Sequence, residues 1–132
     1  MRPKFRAWDV HEKKMFTNDQ LIIWNGNVYA NDNPELNVNN LKGWSIDEKY
    51  LMQSTRLKDI HGKEIYEGDV VRYECCFESY VEEVIYDDKH CNFGTIDKDE
   101  KTFSFDALIS DFDVDCFEVV GNKYENLELL GE

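Results

Sequence analysis

Apolar residues fall along this chain in short runs, with turn-forming clusters of Gly, Asn, Asp and Lys every eight to twelve positions. That rhythm predicts short β-strands rather than helices. Lys4-Phe5-Arg6-Ala7-Trp8 alternates, which sets Phe5 and the Lys4/Arg6 pair on opposite faces of a strand. Asp9 to Lys14 reads as a turn, with Met15-Phe16 returning. Leu21-Ile22-Ile23-Trp24 is a second strand, and Asn25-Gly26 is a two-residue hairpin signal leading to Val28-Tyr29. Asn31-Asp32-Asn33-Pro34 breaks the pattern, because Pro donates nothing to a ladder and Asx residues favour turns. Beyond it, Leu41, Trp44 and Ile46 are expected to anchor a loop. Tyr50 to Gln53 is a further strand, and Ser54 to Gly62 a link.

The second half is more strongly patterned. In His61-Gly62-Lys63-Glu64-Ile65-Tyr66-Glu67-Gly68-Asp69-Val70-Val71-Arg72-Tyr73, a glycine turn precedes a β-branched run. Gly68 can take a positive φ without a Cβ penalty, and Asp69 can accept from amides across the turn. Val70 to Phe77 and Tyr80 to Tyr86 predict a hairpin, and Phe93 to Ile96 and Thr102 to Phe105 flank the charged turn Asp97 to Lys101. Phe117 to Val120 is a last strand, and Tyr124 to Leu130 a helical turn packing Leu127, Leu129 and Leu130. Phe105 to Phe112 is the other helical candidate. The expected fold is mainly β: a small N-terminal β-hairpin unit over residues 1–60 and an SH3-like, partly open antiparallel barrel over 61–132. Its core candidates are Val70, Val84, Ile85, Phe103, Val119 and Val120, one of each adjacent pair being free to face outward.

Charge sharpens the division. Residues 1–60 carry nine Lys/Arg against eight Asp/Glu, a net +1. Residues 61–132 carry six against twenty, a net −14. A half so acidic repels phosphate backbones, which argues against direct nucleic-acid binding. It suits a basic partner or a decoy that mimics nucleic acid, and its simplest reading is a solubilising surface. No apolar run approaches the ~20 residues of a membrane helix, and Met1 to Arg6 lacks the apolar stretch of a secretory signal. The four cysteines, Cys75, Cys76, Cys91 and Cys116, show no paired spacing. Reduced thiols in a cytoplasmic protein are therefore expected.

Several segments resemble the YopX family of small proteins encoded by phages and prophages. They are Lys4 to Asp9, Leu51 to Thr55, Leu57-Lys58-Asp59, Gly62 to Val71 and Val120 to Asn126. The resemblance runs through most of the chain in the family's order and is poorest between Ala30 and Lys49. Arg56 stands where the family pattern has glycine, and Leu127 where a proline often precedes the Glu-Leu-Leu end. The resemblance implies an SH3-like C-terminal barrel with a smaller N-terminal β region. It carries over no catalytic or ligand residue.

Candidate chemistry is sparse. Asp111, Asp113 and Asp115 alternate, but an EF-hand would need Gly and Glu where Cys116 and Asn122 stand. In a strand the three would share one solvent-facing edge, a weak divalent-metal alternative. His90-Cys91 and Cys75-Cys76 lack the two-residue gaps of zinc ligands, since adjacent strand side chains diverge. His11, His61 and His90 fall in predicted turns, and no nucleophile elbow, phosphate loop or dinucleotide glycine pattern occurs. We therefore expect no enzyme and no cofactor. Tyr66, Tyr73, Phe77 and Tyr80 could line a cleft with Glu82 and Glu83 at its rim, against the plainer reading that they fill the barrel. Together these point to a phage-type accessory protein that binds a protein partner. The alternatives are the acidic decoy and, less favoured, a metal-dependent enzyme. The apolar N-terminal residues also predict a homo-oligomer joined through residues 1–60.

Overall fold

A computed structural model describes residues 3–30 and 44–131, which divide into two compact units, Met1–Ser54 and Thr55–Glu132. The division falls inside one strand, Leu51–Lys58.

In the first unit, β1 (Phe5–Asp9) lies between β2 (Lys14–Phe16) and the opening residues of β6 (Leu51–Lys58). A second antiparallel sheet orders β3 (Leu21–Trp24), β4 (Asn27–Ala30) and β5 (Trp44–Ile46). The Asn25-Gly26 hairpin forms as its sequence dictates, with both residues at positive φ. Ala7, Phe16, Val28, Ala30 and Ile46 make the core, with Leu21, Tyr50 and Leu51 packed against it. One expectation changes here: Ile46 belongs to a strand rather than a loop, paired with β4. In β1 both faces are covered, since the neighbours Arg6, Ala7, Trp8 and Asp9 are all buried. The Asn31–Pro34 break and Leu41 lie outside the described residues.

The second unit holds β7 (Glu64–Tyr66), β8 (Asp69–Cys75), β9 (Glu78–Asp87), β10 (Asn92–Ile96), β11 (Thr102–Ser104), a short helix α1 (Phe105–Ser110) and β12 (Glu118–Asn122). Its five-stranded antiparallel sheet runs β11-β10-β9-β8-β12 and curls into a partly open half-barrel, as expected. Gly68 takes φ +83°, and Asp69 accepts the Tyr66 N–H at 2.8 Å, closing the turn ahead of β8. A register shift between Val119 and Gly121 bends β12 along β8. The core gathers Ile65, Val71, Tyr73, Val84, Phe105, Leu108, Val114 and Phe117, each side chain contributing roughly 1.5–3 kcal/mol by its burial. Of the core candidates, Val70 and Val84 are fully buried, and the other four are half-buried.

Three corrections follow in this unit. The β8–β9 turn sits at Cys76–Phe77, two residues before the predicted break. Residues 111–117 are irregular rather than a strand edge, since Val114 and Phe117 must both reach the core. The final turn, Leu127–Leu130, is 3-10 helical, and it leaves Leu127 and Leu129 exposed with only Leu130 half-buried.

Candidate functional site

The β8–β9 hairpin ends in a two-residue loop, with Cys75 paired to Glu78 and Cys76–Phe77 between them. Cys76 has φ 54° and Phe77 φ 69°. This is the mirror-image turn geometry that follows strand twist, normally supplied by Asn-Gly. The chain uses Asn25-Gly26 for the same task elsewhere. Here two residues with a Cβ occupy left-handed conformations at about 1–2 kcal/mol each. The outcome is Phe77 at 110% relative exposure, projected clear of the sheet. An exposed Phe forfeits a further ~1.5–3 kcal/mol of burial.

The stem beneath is firm. Tyr73 stacks on Tyr80 with centroids 5.4 Å apart and meets Phe117 edge-on at 5.3 Å. Its hydroxyl donates to Glu82 Oε1 at 2.6 Å, and the same oxygen accepts from Thr95 Oγ1 at 2.8 Å. Burial first, and the Glu82 carboxylate second, push the Tyr73 phenol well above its ordinary value. Glu74 and Glu78 flank the tip, both exposed. Glu78 accepts the Tyr80 hydroxyl at 2.9 Å, which raises that phenol too. The tip is thus an aromatic knob in an acidic collar.

A cleft of about 450 Å³ opens beside β8, with Arg72, Tyr73 and Glu74 of that strand in its lining. Arg72 and His61 both engage Glu118, the imidazole Nε2 at 3.1 Å from Oε2. The His61 hydrogen bond and then the Arg72 charge hold the Glu118 carboxyl below its usual range. Glu74, Asp113 and Asp115 supply three more carboxylates around Tyr73 and the exposed Ile60. Glu74 belongs to both the cleft and the collar of the tip. A cleft so lined favours a cationic guest.

The sequence candidates are dispersed. Tyr73, Tyr80 and Glu82 meet on the inner side of β8 and β9, while Phe77 stands alone at the tip. Tyr66 is half-buried on β7, and Glu83 lies 3.7 Å from Lys123 Nζ. Asp111 caps the C-terminus of α1, whereas Asp113 and Asp115 reach the cleft. Among the described residues, no three His, Cys, Asp or Glu side chains are grouped to hold a metal ion. Sequence reasoning passed over Arg72 and Glu118 and placed His61 only in a turn; the fold brings the three together across 46 and 57 residues of chain. It also set Cys75 and Cys76 apart, although their Sγ atoms are 3.4 Å from each other.

A two-unit antiparallel β-protein with an open C-terminal half-barrel is the class this architecture defines. The YopX protein family model matches residues 4–131, and the chain belongs to that family. It is also similar to protein EF1440 from Enterococcus faecalis, known from a crystal structure. The two share 28% identity and a TM-score of 0.61, over 98% of this chain and 99% of that one. No curated protein matches. Among the described residues, no helix is long and apolar enough to cross a membrane.

Proposed function

We propose that this protein is a non-catalytic binding module that docks a protein partner through the β8–β9 tip, with Phe77 as the anchor. The observation that carries the reading is the fully exposed Phe77 on a turn whose two residues both sit at positive φ. Strain of this kind persists where function needs it, and aromatic anchors dominate interface energetics. The collar of Glu74 and Glu78, continuous with the acidic cleft, favours a partner with an apolar pocket rimmed by Lys or Arg. The same charge disfavours nucleic acid as the ligand. In keeping with the family resemblance, the setting is a phage or prophage accessory protein acting in the bacterial cytoplasm.

The test replaces Phe77 with a photo-crosslinking phenylalanine analogue and irradiates the full chain in host lysate. One protein should be captured from position 77 and lost on competition with unlabelled wild type. The same analogue at the exposed Ile109 serves as control. Equal, non-competable capture at both positions would remove the reading.

A further inference from the structure

Cys75 and Cys76 stand at the root of the exposed tip. Consecutive side chains in a strand point to opposite faces. The positive φ at Cys76 ends the strand there, and the two sulfurs lie in contact, Sγ to Sγ 3.4 Å. Cys76 is exposed and Cys75 half-buried, so an oxidant in solution meets Cys76 first. We propose that Cys75 and Cys76 form a reversible dithiol–disulfide modification site, oxidised by a low-molecular-weight disulfide such as glutathione disulfide.

The chemistry balances as thiol–disulfide exchange. The Cys76 thiolate attacks one sulfur of glutathione disulfide, whose S–S bond breaks to release one glutathione thiolate. Cys75 then loses its proton, and its sulfur attacks Cys76 Sγ. The mixed disulfide breaks and the second glutathione leaves. Two protein thiols are oxidised, one disulfide is reduced to two thiols, and the two protons from the cysteines end on the departing glutathiones. The hydrogen bond to Cys76, and burial after it, push the Cys75 thiol up, which fits a resolving rather than an attacking role.

Reversibility follows from spacing. The α-carbons of neighbouring residues across a trans peptide are about 3.8 Å apart, short of the ~4.4 Å at which ordinary disulfides begin. A ring closed there is strained and readily reduced, as regulatory disulfides are. Cys76 immediately precedes Phe77, so closing the ring reshapes the turn that presents the aromatic anchor. That regulatory consequence rests on the docking reading; the ring itself does not.

The test uses the full chain with Cys91→Ser and Cys116→Ser, so that Cys75 and Cys76 are the remaining thiols. It is incubated with glutathione disulfide, then alkylated and weighed intact and as peptides. The expected product has lost two hydrogens, carries neither glutathione nor alkyl label, and regains both thiols with dithiothreitol. Cys75→Ser in the same background should stop at a single glutathione adduct on Cys76, because the resolving thiol is gone. Stable glutathionylation of both cysteines, or chains linked into dimers, would overturn the proposal. Crosslinking from position 77 with and without oxidation then reads the coupling, with a lower yield expected from the oxidised chain. A failed ring leaves the docking reading standing, and failed capture at position 77 leaves the ring standing.

Discussion

Asp59 ties two distant stretches of the second unit together with one carboxylate. Its Oδ1 accepts the His61 and Lys63 N–H groups at 2.9 and 2.8 Å, and Oδ2 accepts the Val119 N–H at 3.0 Å. Burial works to raise its pKa, but the bonds from Val119, Lys63 and His61 outweigh it and hold the carboxyl low. A depressed pKa contributes stability that is fully present above the unfolded value near 3.8 and is lost as pH falls on through the lower folded value. Asp59→Asn turns an NH2 towards the Val119 N–H and should cost about 2 kcal/mol near neutral pH. Urea unfolding should show that deficit narrowing below about pH 4, because the unfolded wild-type chain takes up a proton at Asp59 first and the Asn variant has none to take up. Some of this detail is legible in sequence. Gly68 and Asp69 announce their turn by residue type alone. Arg56 does not: it adopts φ +67° where the family pattern has glycine, and its own side chain gives no hint of it.

At the scale of elements, legibility follows local chemistry. Asn25-Gly26 encodes a hairpin by itself, so its position is read correctly. Cys76–Phe77 forms the same kind of turn without either residue, and nothing nearby marks it. The register there is set by the pairing of β8 with β9 and by Tyr73 on Tyr80. Helix α1 is too short for periodicity to identify, yet Ser104 caps it by accepting the Ala107 N–H at 3.0 Å. The cleft was hidden for a related reason, since Arg72, His61 and Glu118 meet only once β12 lies against β8. Gly94 gives an element-scale test. A Cβ there would run into the Phe103 backbone across the β10–β11 pair. Gly94→Ala should therefore destabilise by about 1–3 kcal/mol in urea titration, and an unchanged midpoint would show that β11 yields freely.

Across the whole molecule the charge is lopsided, with −14 on residues 61–132 and +1 on residues 1–60. In the first unit, Ile23 and Trp24 are 45% and 60% exposed on β3, an edge strand. An apolar, near-neutral edge is the surface on which another copy can pair, while the acidic half repels its like. We predict a homo-oligomer joined through residues 1–60, strengthened as salt screens the acidic half. Light scattering at low and high salt measures it, and a strict monomer at tens of micromolar in high salt would contradict it.

The hairpin tip offers the most direct measurement of all, because strain and docking make opposite demands on the same two residues. In Cys76→Asn/Phe77→Gly the turn receives the pair its geometry prefers and loses its aromatic anchor. Under reducing conditions, chemical unfolding and capture of the partner identified at position 77 are measured side by side. The account predicts a chain more stable by about 1–2 kcal/mol that no longer retains the partner. A variant that keeps the partner at the wild-type level, or that gains no stability, would contradict it.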